Sequence, residues 1–446
     1  MRRNSIAAFA AATAVGLVAG DAQAQFWLTD RNLSAGRGIR VGNFELHPGV
    51  GAEFGFDSNT GFVAPSAPST AALRMRVSAN FAISTLTAQR TRMPSDATTP
   101  ASQPLQFRAN AGVTYHHFFA LGSNDVAPNV GFNVGLSLTA TPSRVVSFSA
   151  TNDFARAVQG ASELNFGQLF VFNRFQNTAS LALGITPGGG SLEFKFNYSN
   201  RLNFFTEQSF SSYSNMGNDI GMAIRWRFLP KTSIAWTTSF SPTIYFDPAP
   251  IATGLFTSFP INSRLGVTGL ITERLSFQVF GGYGATYFGQ GDNLETFVGN
   301  AEIRYITGPN MAIKGGLLRD IGASLIGNFM VRNNVYVNVS HSFGGRFLLS
   351  GEFSGGLTQI GYAADRTGAR SNILTGSAVG ADGRLTGFRV LGLVFGEVRF
   401  SEVVGLNATA AISGNFIDAQ FTSMAMGTTG LNWVKFEAFL GLRVNW

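Results

Sequence analysis

Regular alternation of apolar and polar residues near the end of the chain is the feature that most constrains its fold. One face of the segment 432–446 carries Val434, Phe436, Ala438, Leu440, Leu442, Val444 and Trp446, and the other carries Lys435, Glu437, Arg443 and Asn445. A period of two residues is that of a β-strand with one apolar and one polar face. A transmembrane β-barrel strand needs this pattern because one face meets lipid and the other meets the lumen. The segment therefore predicts the closing strand of such a barrel.

The composition excludes an ordinary soluble domain. Charged residues make up 13% of the chain, aromatic residues make up another 13%, and the mean hydropathy is +0.14. A soluble globular protein has roughly 25% charged residues. Beyond the N-terminal segment, no stretch of about 18 apolar residues could form a transmembrane helix. The apolar residues must therefore be distributed by alternation, which favours a membrane-spanning β-barrel.

Alternation recurs along the whole chain and predicts eighteen strands. Most exceed the roughly 9 to 11 residues that a tilted strand needs to cross a bilayer. We therefore predict an all-β fold, a transmembrane antiparallel up-and-down β-barrel of about 18 strands over residues 43–446, with about 16 strands as the alternative. The predicted strands lie near 43–56, 70–83, 105–119, 128–141, 145–155, 177–186, 190–204, 217–229, 231–246, 262–272, 274–288, 294–306, 310–320, 328–341, 344–357, 387–400, 402–416 and 432–446.

The connections between these strands alternate in length. Bacterial barrels have short periplasmic turns and longer outer loops, and the connections after even-numbered strands are short here, with one exception. The exception is 84–104, which predicts a long periplasmic loop, with a further strand in this segment as the alternative. The segment 358–386 is expected to be a surface loop, with an inward-folded constriction as the alternative. Its charged residues are Asp365, Arg366, Arg370, Asp382 and Arg384.

The N-terminal segment is typical of a secretory signal peptide. Arg2 and Arg3 precede an apolar stretch, and small residues flank position 23, so cleavage is expected after Ala24. This predicts a signal peptide over 1–24, a periplasmic leader over 25–42, and location in the cell outer membrane. The closing strand resembles the signal that barrel-assembly machinery recognises. That resemblance implies this machinery and outer-membrane lipid as partners, and it assigns the assembly signal to Leu440, Leu442, Val444 and Trp446.

No set of residues predicts catalysis. Glu45, His47 and Glu53 share one face of the first strand, but the other parts of an active site are missing, and lining a wet lumen explains them equally well. The segment 57–61 begins like a calcium-binding loop, yet its fifth residue is Gly61 and no bidentate Glu follows, which favours a turn. We therefore predict no enzyme activity, no cofactor and no metal site. The dispersed basic residues predict no nucleic-acid binding.

Charged residues on the polar faces of the strands predict a wet lumen. The predicted lumen-lining basic residues are Arg74, Arg76, Arg108, Lys195, Arg225, Arg227, Arg304, Arg332, Arg389, Arg399, Lys435 and Arg443. The acidic ones are Glu45, Glu53, Glu193, Glu302, Glu397 and Glu437. A pore with this basic excess would mildly favour anions over cations. The alternative is that Arg and Glu form pairs that brace the wall, and both roles are compatible.

The first strand and its rim turn resemble a known family. The segment 42–59, GNFELHPGVGAEFGFDSN, is similar to the opening strand of the β-barrel porin 2 group, in which Pro and a D-x-N turn have this spacing. The resemblance implies an outer-membrane barrel. Some similar eighteen-stranded barrels are outlets for secreted polysaccharide, which implies a polysaccharide-export apparatus as a candidate partner and lumenal Trp433 and Phe439 as platforms for sugar stacking.

Two functions follow from these observations. The first is a porin-like channel for polar solutes or an exported polysaccharide, since a barrel of this size leaves an aqueous path unless it is filled. The second is a non-conducting structural or adhesive barrel that acts through its outer loops. The sequence identifies neither the substrate nor a contact between protomers, so the oligomeric state is not predicted.

Overall fold

The fold is that of a computed structural model. It describes the chain over residues 38–62, 71–85, 104–121, 128–157, 174–206, 211, 214–246, 257–289, 293–308, 310–322, 324, 327–361, 374–381, 383–423 and 427–446. The predicted signal peptide and most of the predicted leader lie outside the described residues, as does most of the segment 84–104.

Eighteen antiparallel strands form a closed barrel. Each strand pairs with the next along the chain, and the last pairs with the first from Gly49 opposite Asn445 to Asp57 opposite Glu437. This confirms the predicted fold class and strand number. The strands are β1 Phe44–Asp57, β2 Ala72–Thr85, β3 Leu105–Ala120, β4 Asn129–Ala140, β5 Val146–Ala157, β6 Arg174–Ile185, β7 Leu192–Phe205, β8 Asn215–Leu229, β9 Thr232–Phe240, β10 Ser258–Leu270, β11 Leu275–Phe288, β12 Leu294–Gly308, β13 Met311–Gly322, β14 Met330–Phe343, β15 Phe347–Ile360, β16 Leu385–Arg399, β17 Val404–Phe416 and β18 Trp433–Asn445.

Two details differ from the predicted boundaries. The ninth predicted strand is interrupted after Phe240 and resumes as Thr243–Tyr245, because Pro242 lacks the N–H that a continuous ladder needs. The predicted leader is not wholly separate from the barrel. Its residues Ile39–Val41 pair with the start of β1 through a tight turn in which Gly42 has a φ of +61°. Glycine adopts this left-handed conformation without a steric penalty.

Long connections gather at one end of the barrel and short turns at the other. Between described strand ends, the turns after β4, β6, β8, β10, β12, β14 and β16 are short. The connections at 361–384 and 417–432 lie at the opposite end, together with most other long ones. We refer to these as the turn end and the loop end. In bacterial barrels the loop end faces outside.

The outward face of the barrel is apolar. On β7 and β8, for example, Phe196 and Ile220 are exposed, whereas the alternate residues Asn197 and Gly221 point inward. Aromatic side chains are also exposed on this face, namely Tyr115, Phe119, Trp226, Phe228, Trp236, Phe246, Tyr287, Tyr305 and Trp446. Among the described residues there is no helix of the length and apolarity needed to cross a membrane. Since exposed apolar surface of this extent needs an apolar surrounding, the barrel is a transmembrane one.

Two neighbouring residues on β6 provide a test of this assignment. Leu181 is exposed on the outward face, and Ser180 lies half-buried on the inner face. We expect Leu181→Arg to lower the free energy of unfolding in lipid by up to about 4 kcal/mol, since a lipid-facing Arg costs about 2–4 kcal/mol near the bilayer midplane. The matched variant Ser180→Arg should cost much less, as its charge enters the lumen. Equal losses in urea unfolding experiments in lipid vesicles would contradict the orientation of the strand.

Candidate channel interior

The predicted lumen-lining residues lie on the inner face of the barrel, opposite the exposed apolar side chains. On β18, Lys435, Glu437 and Arg443 are buried, whereas the intervening Phe436 and Leu442 are exposed. The same alternation places the others inward, namely Glu45, Glu53, Arg74, Arg76, Arg108, Glu193, Lys195, Arg225, Arg227, Glu302, Arg304, Arg332, Arg389, Glu397 and Arg399. That they line an open channel stays a prediction.

Four charged side chains join the first, second and last strands at the loop end. We call Asp57, Arg74, Lys435 and Glu437 the seam cluster. Lys435 Nζ lies 2.9 Å from Asp57 Oδ2 and 3.3 Å from Glu437 Oε1, and Arg74 Nη1 lies 3.6 Å and 3.4 Å from the same two oxygens. Asp57 is 1% exposed, and Arg74 and Lys435 are both 2% exposed. Two cations and two anions therefore compensate one another at the line where the barrel closes.

Further contacts extend the seam cluster along the inner wall. Arg76 Nη2 lies 2.6 Å from Glu53 Oε2, and its guanidinium carbon lies 4.2 Å from the centre of the Phe439 ring. Arg74 Nη2 lies 3.0 Å from His116 Nδ1. Since Arg is always charged, the His116 ring must accept this hydrogen bond at Nδ1 and carry its proton at Nε2. The residues of β1, β2, β3 and β18 thus form one continuous polar network.

Ion pairs also brace other parts of the inner wall. At the turn end, Glu397 accepts from Arg443 and lies 2.7 Å from Arg399 Nε, which links β16 to β18 across β17. Other pairs among the described residues are Arg225 with Glu193, Arg264 and Arg332 with Asp320, and Lys314 with Glu302. Many of the inner charged side chains are therefore paired, as expected if Arg and Glu brace the wall of the barrel.

The two inner aromatic residues of β18 do not offer an open surface. Trp433 is 1% exposed, and its ring packs edge-on against the Phe62 ring, with the ring centres 4.9 Å apart. Phe439 is 6% exposed and has the guanidinium of Arg76 over its ring. A sugar can stack only on an accessible ring face, so in this conformation the role expected from the family resemblance is not available to either residue.

Two outer connections fold together over the mouth of the barrel. Their short strands Leu374–Thr375, Gln420–Ser423 and Gly427–Gly430 form a separate three-stranded sheet. We call the described residues 374–381, 417–423 and 427–431 the cap. Its apolar residues contact the loop ends of β14, β15 and β16. The buried cluster contains Met330, Ile360, Leu385, Ile417, Ala419 and Leu431, and the half-buried Ala378 and Val379 pack against it.

The cap changes the interpretation of the segment 358–386. A surface loop was the favoured expectation, but its described residues 378, 379 and 385 pack in the mouth, as the constriction alternative requires. Met330, Ile360 and Leu385 are directly opposite one another on adjacent strands and face inward. Of the charged residues expected there, Arg384 lies 5.5 Å from the Phe329 ring. Asp365, Arg366, Arg370 and Asp382 lie outside the described residues.

The inner side chains are partly exposed on one side of the barrel and buried on the other. Ser149, Thr151 and Ser180 on β5 and β6 are half-buried, whereas Thr409 and Ser413 on β17 are buried. The seam cluster and the cap lie on the filled side. We call the inner faces of β5 to β8 the open side. The polar side chains there are partly exposed.

The candidate acid–base residues of β1 do not converge. His47 Nε2 lies 3.8 Å from Glu45 Oε1 at the turn end, while Glu53 is engaged by Arg76 towards the loop end. No group of three or more metal-ligating side chains occurs among the described residues. Glu45, His47 and Glu53 therefore lie on the inner face of β1 without coming together.

Asp57 and Asp320 are interior residues that were not among the predicted lumen-lining residues. Asp57 was interpreted as part of a rim turn, but it is the last residue of β1 and faces inward. Asp320 accepts from both Arg264 and Arg332 near the loop end of β13. Asp57 is one residue beyond the predicted strand 43–56, and Asp320 is the last residue of the predicted strand 310–320, so the alternation of each strand places both carboxylates on the inner face.

Comparisons with known proteins give structural neighbours only. No family model matches the chain, and no curated protein matches its sequence. The resemblance to the β-barrel porin 2 group therefore stays a prediction. The chain is similar in structure to OccAB4 of Acinetobacter baumannii, with 9% identity, a TM-score of 0.43, and coverage of 90% of this chain and 98% of that one.

Two other neighbours have comparable scores. OccK7 (OpdD) of Pseudomonas aeruginosa is 10% identical, with a TM-score of 0.44 over 91% of this chain and 99% of that one. The FrpB iron transporter of Neisseria meningitidis is 8% identical, with a TM-score of 0.43 over 90% of this chain and 81% of that one. Likeness at this level does not assign a function. The strand pairing and the apolar exterior make this chain an eighteen-stranded transmembrane β-barrel with the architecture of bacterial outer-membrane proteins.

Proposed function

We propose that this protein is an outer-membrane channel for small polar solutes, with a mild preference for anions. The observation that carries the proposal is the open side, where polar inner side chains stay half-buried in a closed barrel. A barrel of eighteen strands is wide enough to hold an aqueous path unless loops or side chains fill it. The cap and seam cluster occupy the other side, so the path follows β5 to β8.

The anion preference rests on the basic excess of that path, where Arg174, Lys195, Arg201, Arg225 and Arg227 face inward against Asp153, Glu193 and Asp219. Arg225 is paired with Glu193 on neighbouring strands. Lys195 and Arg227 also face inward on β7 and β8 and form no ion pair with any described residue. Their charges act on the solution, and a basic lining raises the local concentration of anions over cations.

Neutralising these two cations should remove most of the preference. In planar bilayers under a KCl gradient, we expect the wild-type reversal potential to lie on the anion-selective side and to move towards zero in Lys195→Gln/Arg227→Gln. The matched control is Arg144→Gln, which removes a charge from the exposed β4–β5 turn. A cation-selective wild-type current, or an equal shift in the control, would contradict the proposed selectivity.

The proposal places the protein in the bacterial outer membrane. It follows that the full chain should cofractionate with outer-membrane lipid after export and cleavage near Ala24. The strand containing Leu440, Leu442, Val444 and Trp446 is proposed to be recognised by the barrel-assembly machinery. Detection of the protein in the inner-membrane fraction of unstressed cells would argue against this location.

The two alternative functions have less support. Polysaccharide export would be favoured by exposed aromatic rings along the lumen, but the rings of Trp433 and Phe439 are covered. A non-conducting adhesive barrel would use the cap as its working surface. Single-channel recordings of the refolded protein separate these possibilities, since a barrel without an aqueous path produces no conductance steps.

A further inference from the structure

Asparagine side chains interrupt the apolar outer surface of the barrel on four neighbouring strands. They are Asn152 on β5, Asn177 on β6, Asn200 on β7 and Asn218 on β8, and the alternation of each strand places them on the outward face. With Tyr198, which is 41% exposed, we call them the amide patch. On β17, β18 and β1, by contrast, the outward positions hold only apolar residues and glycine.

The amide patch lies within the apolar band of the barrel and not at its edge. On β7, the exposed outward residues Phe196 and Phe204 lie on the turn side and the loop side of Asn200. On β5, the outward Phe154 lies between Asn152 and the loop end. Headgroups contact the edges of an apolar band, whereas its interior meets acyl chains, which form no hydrogen bonds. Lipid therefore provides no partner for these amides.

Within the barrel, the amide patch satisfies only part of its hydrogen-bonding capacity. Asn218 Oδ1 accepts from Tyr198 OH at 2.8 Å and from Asn200 Nδ2 at 2.9 Å. The side chains of Asn152 and Asn177 form no hydrogen bond with any described residue. Each amide has two N–H donors and one carbonyl acceptor, and a polar group without a partner in apolar surroundings costs about 1–3 kcal/mol. A partner that satisfied these groups would therefore be bound at this position of the wall.

The amide patch is complementary to itself, because an amide both donates and accepts hydrogen bonds. A twofold-symmetric contact brings the same surface of two chains together, so that the patch would face an identical patch. Asparagine side chains form hydrogen bonds of this kind between membrane-spanning helices, and outward side chains of strands have the same chemistry. We propose that a second copy of this chain packs against the amide patch, in a dimer whose twofold axis lies along the membrane normal.

Apolar side chains around the amide patch complete the contact. The rings of Phe154 and Phe175 are stacked with their centres 6.1 Å apart, Phe132 lies 5.7 Å from Phe154, and Ile220 on β8 is 55% exposed. Apolar surface alone gains little from association in a membrane, since acyl chains are equally apolar. The amides therefore determine where the two copies meet. This interface is on the outer face of the barrel, and it does not depend on conduction along the open side.

Because the chain contains no cysteine, single cysteines can report the contact. Asn152, Asn177, Asn200 and Asn218 are replaced by Cys one at a time in the full chain, and isolated outer membranes are oxidised with copper phenanthroline. We expect a disulfide-linked dimer from the positions nearest the twofold axis. The matched control is Ile412→Cys on β17, which is 53% exposed on the outer surface and lies as far from the turn end as Asn200 does. Equal cross-linking in the control, or none at any of the four positions, would overturn the proposal.

Removal of the amides tests their role in the contact. Asn200→Leu/Asn218→Leu replaces two amides by apolar side chains that lipid accommodates, so the barrel should still fold, which circular dichroism checks. In analytical ultracentrifugation of the refolded chain, we expect a wild-type dimer and a dissociation constant at least about tenfold higher in the double variant. The control Ile412→Ala should leave the dissociation constant unchanged. An equally stable dimer in the double variant would overturn the proposal, as would a monomeric wild type, including one that retains a lipid molecule in native mass spectrometry.

Discussion

Asp57→Asn should lower the free energy of unfolding by about 3–5 kcal/mol, the range measured when one partner of a buried ion pair is removed. The substitution removes one of the two carboxylates that Lys435 and Arg74 contact, and all four side chains of the seam cluster are nearly inaccessible to water. The loss comes mainly from uncompensated positive charge in a region of low dielectric constant. Equilibrium urea unfolding in detergent micelles, followed by tryptophan fluorescence, measures it.

A less buried pair on the same wall is the control. Glu193 and Arg225 have side chains that are 26% and 23% exposed, so Glu193→Gln should cost about 1 kcal/mol or less. The double variant Asp57→Asn/Lys435→Met removes one charge of each sign and should recover part of the loss, because two charges then remain to pair with each other. If Asp57→Asn and Glu193→Gln lowered the free energy of unfolding equally, the contribution of the seam cluster to stability would not depend on its burial.

The position of the seam cluster explains why its effect should be large. Closure of the barrel joins β1 to β18, which are at opposite ends of the chain, and loop-closure entropy opposes such a contact. Backbone hydrogen bonds form the ladder from Gly49 to Asp57. The ion pairs of Lys435 and Arg74 add side-chain contacts across the same line and select one register.

The strands and the facing of their side chains could be predicted from sequence because both depend on a local pattern. Lys435 and Glu437 alternate with Val434 and Phe436, and this alternation determines which side chains face inward, irrespective of the rest of the chain. Features that do not follow from this alternation could not be predicted from it. Pro242 interrupts β9 because one residue lacks an N–H, a feature that alternation does not record.

The cap and the cover over Trp433 could not be predicted in this way. The apolar cluster that includes Leu431, with Val379 packed against it, joins two connections that are far apart in sequence, and no periodic pattern indicates it. Similarly, Trp433 was expected to offer a ring face to a sugar because it faces inward. Its burial depends on Phe62, a loop residue whose position relative to β18 follows only from the closed barrel.

Leu431→Asp should open the mouth of the barrel. Leu431 is 1% exposed and lies in the apolar cluster that holds the cap against β14, β15 and β16. A carboxylate there has no cationic partner in the cluster, so burying it would cost at least about 3 kcal/mol, which shifts the closed-to-open ratio more than about a hundredfold. We expect larger single-channel conductance steps and faster proteolysis within the cap, while the urea midpoint of the barrel changes little because its strand pairing is intact.

Thr375→Asp is the matched control, since it adds the same charge to the cap at an exposed position. If the added charge itself changed the current, both variants would show it, whereas displacement of the cap is specific to Leu431. Larger steps in Leu431→Asp alone would show that the cap restricts the path through the mouth. Unchanged steps accompanied by rapid proteolysis would show instead that the cap is released without widening the path, and the conductance would then be limited along β5 to β8, where Lys195 and Arg227 face the lumen.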